Sequence, residues 1–118
     1  MQAQRYRHRI SFEEQTTLVD STEGAREVHW IPVVLDSGEA LEDVPAEVLT
    51  GPGREFVQSG KTQGEIAARI NCGWFPGLLQ GWRIVWEGQV FNIAGWELDR
   101  TARREYRIKC TAGVNDGQ

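Results

Sequence analysis

Cysteine and histidine are scarce in this chain. Two cysteines, Cys72 and Cys110, and two histidines, His8 and His29, are its whole supply in 118 residues. Two cysteines are too few for a disulfide scaffold or a zinc site. A catalytic triad or a metal centre would need partners converging on a histidine, and no nucleophile motif or ligand spacing accompanies either one. The sequence therefore predicts no enzyme, no metal and no cofactor. An excess of basic charge is also missing. Against 17 Asp and Glu there are 13 Lys and Arg, a formal net charge of −4, which argues against non-specific binding to DNA or RNA. No stretch approaches membrane length, and the N-terminus carries no apolar signal core. A soluble protein of a reducing compartment, with no membrane partner, is expected.

What is present is a period of two. Arg104, Tyr106, Ile108 and Cys110 alternate with Arg103, Glu105, Arg107 and Lys109, and a strand half-buried in a sheet needs that period. Tyr6, His8, Ile10 and Phe12 alternate with Arg5, Arg7, Arg9 and Ser11 in the same way. Trp82-Arg83-Ile84-Val85-Trp86 and Gln89 to Trp96 read as two strands joined at Glu87-Gly88, where Gly88 takes positive φ without steric cost. Further strands are expected at Glu27–Leu35, Val44–Leu49 and Gly64–Ile70. Pro32 cannot donate to a ladder, so the strand that holds it is an edge strand, bulged or interrupted there.

Between these segments lie turns. Glu13 to Glu23 is polar and reads as a strand end and turn. Asp36 to Asp43 is acidic with little to bury, and reads as a mobile loop or hairpin tip. Arg54 to Ser59 is the one stretch that suggests a helix, of one or two turns, with Gly60 as its cap. Asn71 to Gln80 holds Gly73, Pro76 and Gly77 and reads as a loop, although Trp74, Phe75, Leu78 and Leu79 make it apolar. By length the chain is one domain, 1–118, with ends at 1–4 and 113–118 expected to be disordered. The fold class is all-β and mainly antiparallel: a small barrel or sandwich of six to seven short strands with one short helix and long loops.

Candidate functional residues are sparse. Asp36, Glu39, Glu42 and Asp43 lack the alternating ligands of a calcium loop; they are a solvated loop or a patch that steers a basic partner. Arg100, Arg103 and Arg104, with Arg107 nearby and Arg5, Arg7 and Arg9 at the other end, form strand faces and ion pairs by default, or a basic contact surface. Opposite charges at different ends would suit head-to-tail association. Trp74 and Phe75 either fold over a barrel end or anchor an interface. Cys110 reads as a buried thiol, and the two histidines as structural or surface residues.

Taken in order, these segments resemble the phage head-tail connector family, whose members are called head-tail joining, head closure or head completion proteins. The resemblance runs from Arg9-Ile10 through Trp30, Ala46-Glu47-Val48 and Ala68-Arg69-Ile70. It is strongest in Trp82-Arg83-Ile84, Glu87-Gly88, Val90-Phe91-Asn92-Ile93, Asp99 and Tyr106-Arg107-Ile108-Lys109-Cys110. It implies a barrel-like protein that binds below the portal ring and forms a homo-oligomeric ring of its own. Such a ring helps retain DNA in the filled head and presents the surface on which the tail docks. Portal or adaptor and tail proteins would be its partners, DNA in the channel a passive contact, and the virion its location, after the host cytoplasm. The resemblance also implies a long loop between early strands that reaches the channel, a position held here by Asp36 to Asp43. The chain departs from the family pattern at Pro32 and at the aromatic Asn71–Gln80 loop, which leaves head closure, tail completion and prophage remnant open. A small β-barrel nucleic-acid binder, with Trp74, Phe75 or Trp96 stacking on bases, is the competing reading.

Overall fold

A computed structural model describes residues 5–19, 26–50, 66–98 and 104–113. Seven strands occupy them: β1 (His8–Val19), β2 (Arg26–Pro32), β3 (Val44–Thr50), β4 (Ala68–Gly73), β5 (Arg83–Trp86), β6 (Gln89–Leu98) and β7 (Glu105–Ala112). All pairings are antiparallel, in the order β2-β1-β3-β4-β7-β6-β5. The pairing of Ser11–Glu13 with Arg83–Val85 brings β5 back to β1. Six strands thus close into a barrel, and β2 lies outside the ring. Closure removes the open edges that a flat sheet would expose.

The all-β expectation holds, with three differences in extent. The helix expected at Arg54–Ser59 falls outside the described residues. β1 does not end near Glu13 but runs on to Val19, pairing Glu13–Val19 with Arg26–Pro32 as a two-stranded ribbon beyond the barrel. The ribbon helps give the molecule its extents of 53 × 38 × 25 Å. β4 continues through Asn71 and Cys72 to Gly73, taking in residues that read as loop, because Tyr106 and Arg107 of β7 offer them a ladder. Gly113, expected in a disordered end, donates its N–H to the Val90 carbonyl at 2.8 Å. As an edge strand that stops at Pro32, β2 fits the proline argument.

The barrel interior follows the alternation. Ile10 and Phe12 of β1, Ala46 and Val48 of β3, Ala68, Ile70 and Cys72 of β4, and Tyr106, Ile108 and Cys110 of β7 are all buried. β6 keeps its register with β7 by a bulge. Phe91 and Ile93 point inward before it; Trp96 and Leu98 pack against the core after it, opposite Ile108 and Tyr106. One extra residue between Ile93 and Gly95 switches the inward parity from odd to even. The β5–β6 turn has φ of 50° at Glu87 and 81° at Gly88, the two left-handed residues that a type I′ hairpin requires. Cys72 and Cys110 are free thiols inside this core. Burial pushes each up to about 12, with the Glu105 charge adding to the effect on Cys72, so both stay protonated and unreactive while the barrel is closed.

Aromatic rings fill one end. Phe75 lies edge-on to Phe12 at 5.3 Å and to Tyr106 at 5.0 Å, and stacks with Trp82 at 6.2 Å between centroids. The Tyr106 hydroxyl donates to the Phe75 carbonyl, which fixes the loop that delivers the ring. Offset and edge-on pairs add to the burial of the rings themselves.

Candidate functional site

The loop between β2 and β3 is built on Phe12. The Val33 amide donates to the Phe12 carbonyl at 3.0 Å, and the Phe12 amide donates to the Leu41 carbonyl at 2.9 Å. Both feet of the loop are therefore tied to the strand that closes the barrel. Between them Leu41 donates to Val33, Leu35 donates to Glu39, and a bridge joins Val34 to Ala40. The hairpin-tip reading is correct. The reading that this segment has little to bury is not: Leu41 is 2% exposed, and it joins Val33 in the core. An acidic run hid it.

This anchored loop forms one wall of a cavity of about 290 Å³. Glu39, Leu41 and Asp43 line it from the loop, Val44 and Pro45 from the start of β3, Gly73 from the end of β4, and Trp74, Phe75 and Tyr6 complete it. Two residue groups singled out from the sequence thus meet in space. Of the acidic set, Glu39 and Asp43 line the cavity; Asp36 and Glu42 are exposed outside it. Of the aromatic pair, Phe75 is buried, whereas Trp74 is 41% exposed. The Trp74 backbone is nonetheless held, since its amide donates to the Arg104 carbonyl at 3.0 Å. Asp43 has φ of 55°, uncommon for a residue with a Cβ, and its amide faces the Ser11 hydroxyl at 3.4 Å. Among the described residues, no cation lies within salt-bridge distance of Glu39 or Asp43.

Tyr6 connects the cavity to a second group of carboxylates. Its hydroxyl donates to Glu105 at 2.6 Å, and Arg5 donates to the same Glu105 oxygen at 2.7 Å. Arg107 donates to the other oxygen at 3.1 Å. Arg5 also reaches Glu47 at 2.9 Å, and Glu47 accepts from Asn71 at 2.9 Å. Burial would raise the Glu105 carboxyl, but the hydrogen bonds from Tyr6 and Arg107 and the Arg5 charge outweigh it and hold the group below the usual range. Glu47 is lowered likewise, with Arg5 and Asn71 overcoming burial. Tyr6 is pushed up, first by burial and then by its bond to Glu105. Asn71 keeps one buried Oδ1 without a partner.

Sequence alternation put Glu105 on the solvent side of β7, yet only 4% of it is exposed. Arg5 and Tyr6 cover it from across 100 and 99 positions of chain, which no local pattern can signal. The remaining candidates sit apart. Arg104 is exposed, and Arg100 and Arg103 lie outside the described residues. His29 is exposed beside Glu27, and His8 accepts the Val48 amide through Nδ1. Trp96 packs against the core rather than standing free. No group of three or more His, Cys, Asp or Glu among the described residues could hold a metal ion. No helix there is long and apolar enough to cross a membrane.

Comparison with known proteins places this barrel. The sequence pattern of the family described as phage head completion protein matches residues 1–113. The chain belongs to that family. Its role is accordingly a structural one in the phage head, as a component of the virion that associates with other virion components. Among solved structures, the solution structure of protein SF1141 from Shigella flexneri 2a is similar over 98% of this chain and all of that one, with a TM-score of 0.67 and 25% identity. A chain from the virion of a native gene transfer agent particle shares the fold over 91% of this chain and 94% of its own, with a TM-score of 0.55 and 16% identity. No curated protein sequence matches this chain.

Proposed function

We propose that this head completion protein is a non-catalytic connector. It binds below the portal ring, assembles there as a homo-oligomeric ring, helps close the DNA-filled head and offers the surface on which the tail docks. The observation that carries this reading is the family match across residues 1–113, which covers every strand of the closed barrel. The physics of the surface supports it. Once the strands have filled one core, the exposed large apolar residues among those described are scattered: Val28, Ile31, Val34, Trp74 and Leu79. Association through small, mostly polar contacts gains from an organised template that raises the effective concentration. The isolated protein is then monomeric or weakly associated, and the portal ring gathers it.

The nucleic-acid reading gains nothing from the cavity. Trp74, the one aromatic exposed there, stands beside Glu39 and Asp43, and two carboxylates at a stacking platform repel a phosphate backbone. DNA in a channel next to such a surface is a neighbour and not a ligand.

The test is a deletion of the gene in its phage or prophage. Lysates should contain DNA-filled heads without tails alongside free tails, and purified protein added to them should restore joined, infectious particles. Complete virions from the deletion would refute the connector assignment.

A further inference from the structure

We propose that the cavity walled by Trp74, Tyr6, Glu39 and Asp43 receives an arginine side chain carried on an extended segment of a different virion protein. This inference rests on the connector reading and specifies one contact within it.

A cavity of about 290 Å³ holds one long side chain and part of its backbone, and Leu41, Pro45, Val44 and Phe75 give it apolar walls for an aliphatic stem. Trp74, 41% exposed, lines the same cavity. Exposure of an indole disfavours the free protein and suits a planar cation laid against it. Glu39 and Asp43 then supply acceptors for the guanidinium, whose fork of N–H donors matches carboxylate oxygens.

Among the described residues, no cation pairs with Glu39 or Asp43. The nearby cation Arg5 is held by Glu47 and Glu105, and Arg107 is bound to Glu105 as well. Charge complementarity points to the source of the arginine: a basic segment of another protein is drawn to this acidic rim.

The experiment is a titration followed through the Trp74 indole N–H resonance. The probes are the peptide acetyl-Gly-Arg-Gly-amide, the same peptide with neutral citrulline, and spermidine. The arginine peptide should shift the Trp74 signal saturably and the citrulline peptide should not. The paired substitution Glu39→Gln with Asp43→Asn, and separately Trp74→Ala read on a neighbouring Gly73 amide, should each weaken binding by about tenfold or more. Equal binding of citrulline would overturn the charge argument. Tighter binding of spermidine would assign the cavity to small polycations. A Trp74 shift that tracks protein concentration without any probe would assign it to a second copy. The titration leaves the connector reading untouched, since that reading stands or falls on the deletion lysates alone.

Discussion

Two groups of carboxylates adjoin at Tyr6 and differ in what surrounds them. Glu105 and Glu47 are saturated from within: Arg5, Tyr6, Asn71 and Arg107 donate to them. Glu39 and Asp43 are exposed on a cavity rim without a cation of the described chain. The first group fastens the segment before β1 onto β3, β4 and β7. The second adds nothing comparable to the fold. A carboxylate whose partners are internal is an investment in structure; one without a cation partner among the described residues is, in the reading proposed above, available for assembly.

The sharpest break in this comparison is Glu105→Ala. It leaves Tyr6 and Arg107 without their acceptor and Arg5 with Glu47 alone, and hydrogen bonds to a charged group are worth about 1.5–3 kcal/mol each. Arg5 and Arg107 are partly exposed and recover water, so the expected loss is about 2–3 kcal/mol in urea unfolding. Arg5→Ala should cost about 1–2 kcal/mol, because Glu105 keeps Tyr6 and Arg107, and Glu47 keeps Asn71. If both substitutions were neutral, the network would be decoration.

The pH dependence is smaller and has a fixed sign. Glu105 and Glu47 lie below their ordinary value of 4.5 in the folded protein. The stability they confer is fully present above that value and is lost as pH falls through the lower folded-state value. Unfolding midpoints should therefore drop below about pH 4.5, and the drop should be shallower in Glu105→Gln. Smallest of all is the effect of Glu39→Gln with Asp43→Asn on stability, within about 0.5 kcal/mol of wild type.

Much of the barrel was readable from alternation. Tyr6 to Phe12 and Tyr106 to Cys110 declared an inward face because each packs on one core. The ribbon was not, because Glu14 to Thr17 pairs outside the barrel, where no buried face imposes a pattern. The end of β4 was obscured by Asn71 and Gly73, poor strand formers rescued by β7. The candidate site was half legible. The acidic loop and the Trp74–Phe75 pair each stood out, but their meeting depends on Leu41 and Phe75 entering the same core, and on the ring closing between Ser11 and Val85. The saturated network was invisible, since its covering residues come from the far end of the chain.

The central claim is that the unpaired carboxylates serve assembly and not folding. It is tested most directly by phage carrying Glu39→Gln with Asp43→Asn, assayed for plating and for particles by electron microscopy, beside the unfolding curve of the purified variant. The account predicts an unfolding curve that matches wild type together with filled heads that leak DNA or fail to join tails. A variant phage that plates like wild type would contradict it.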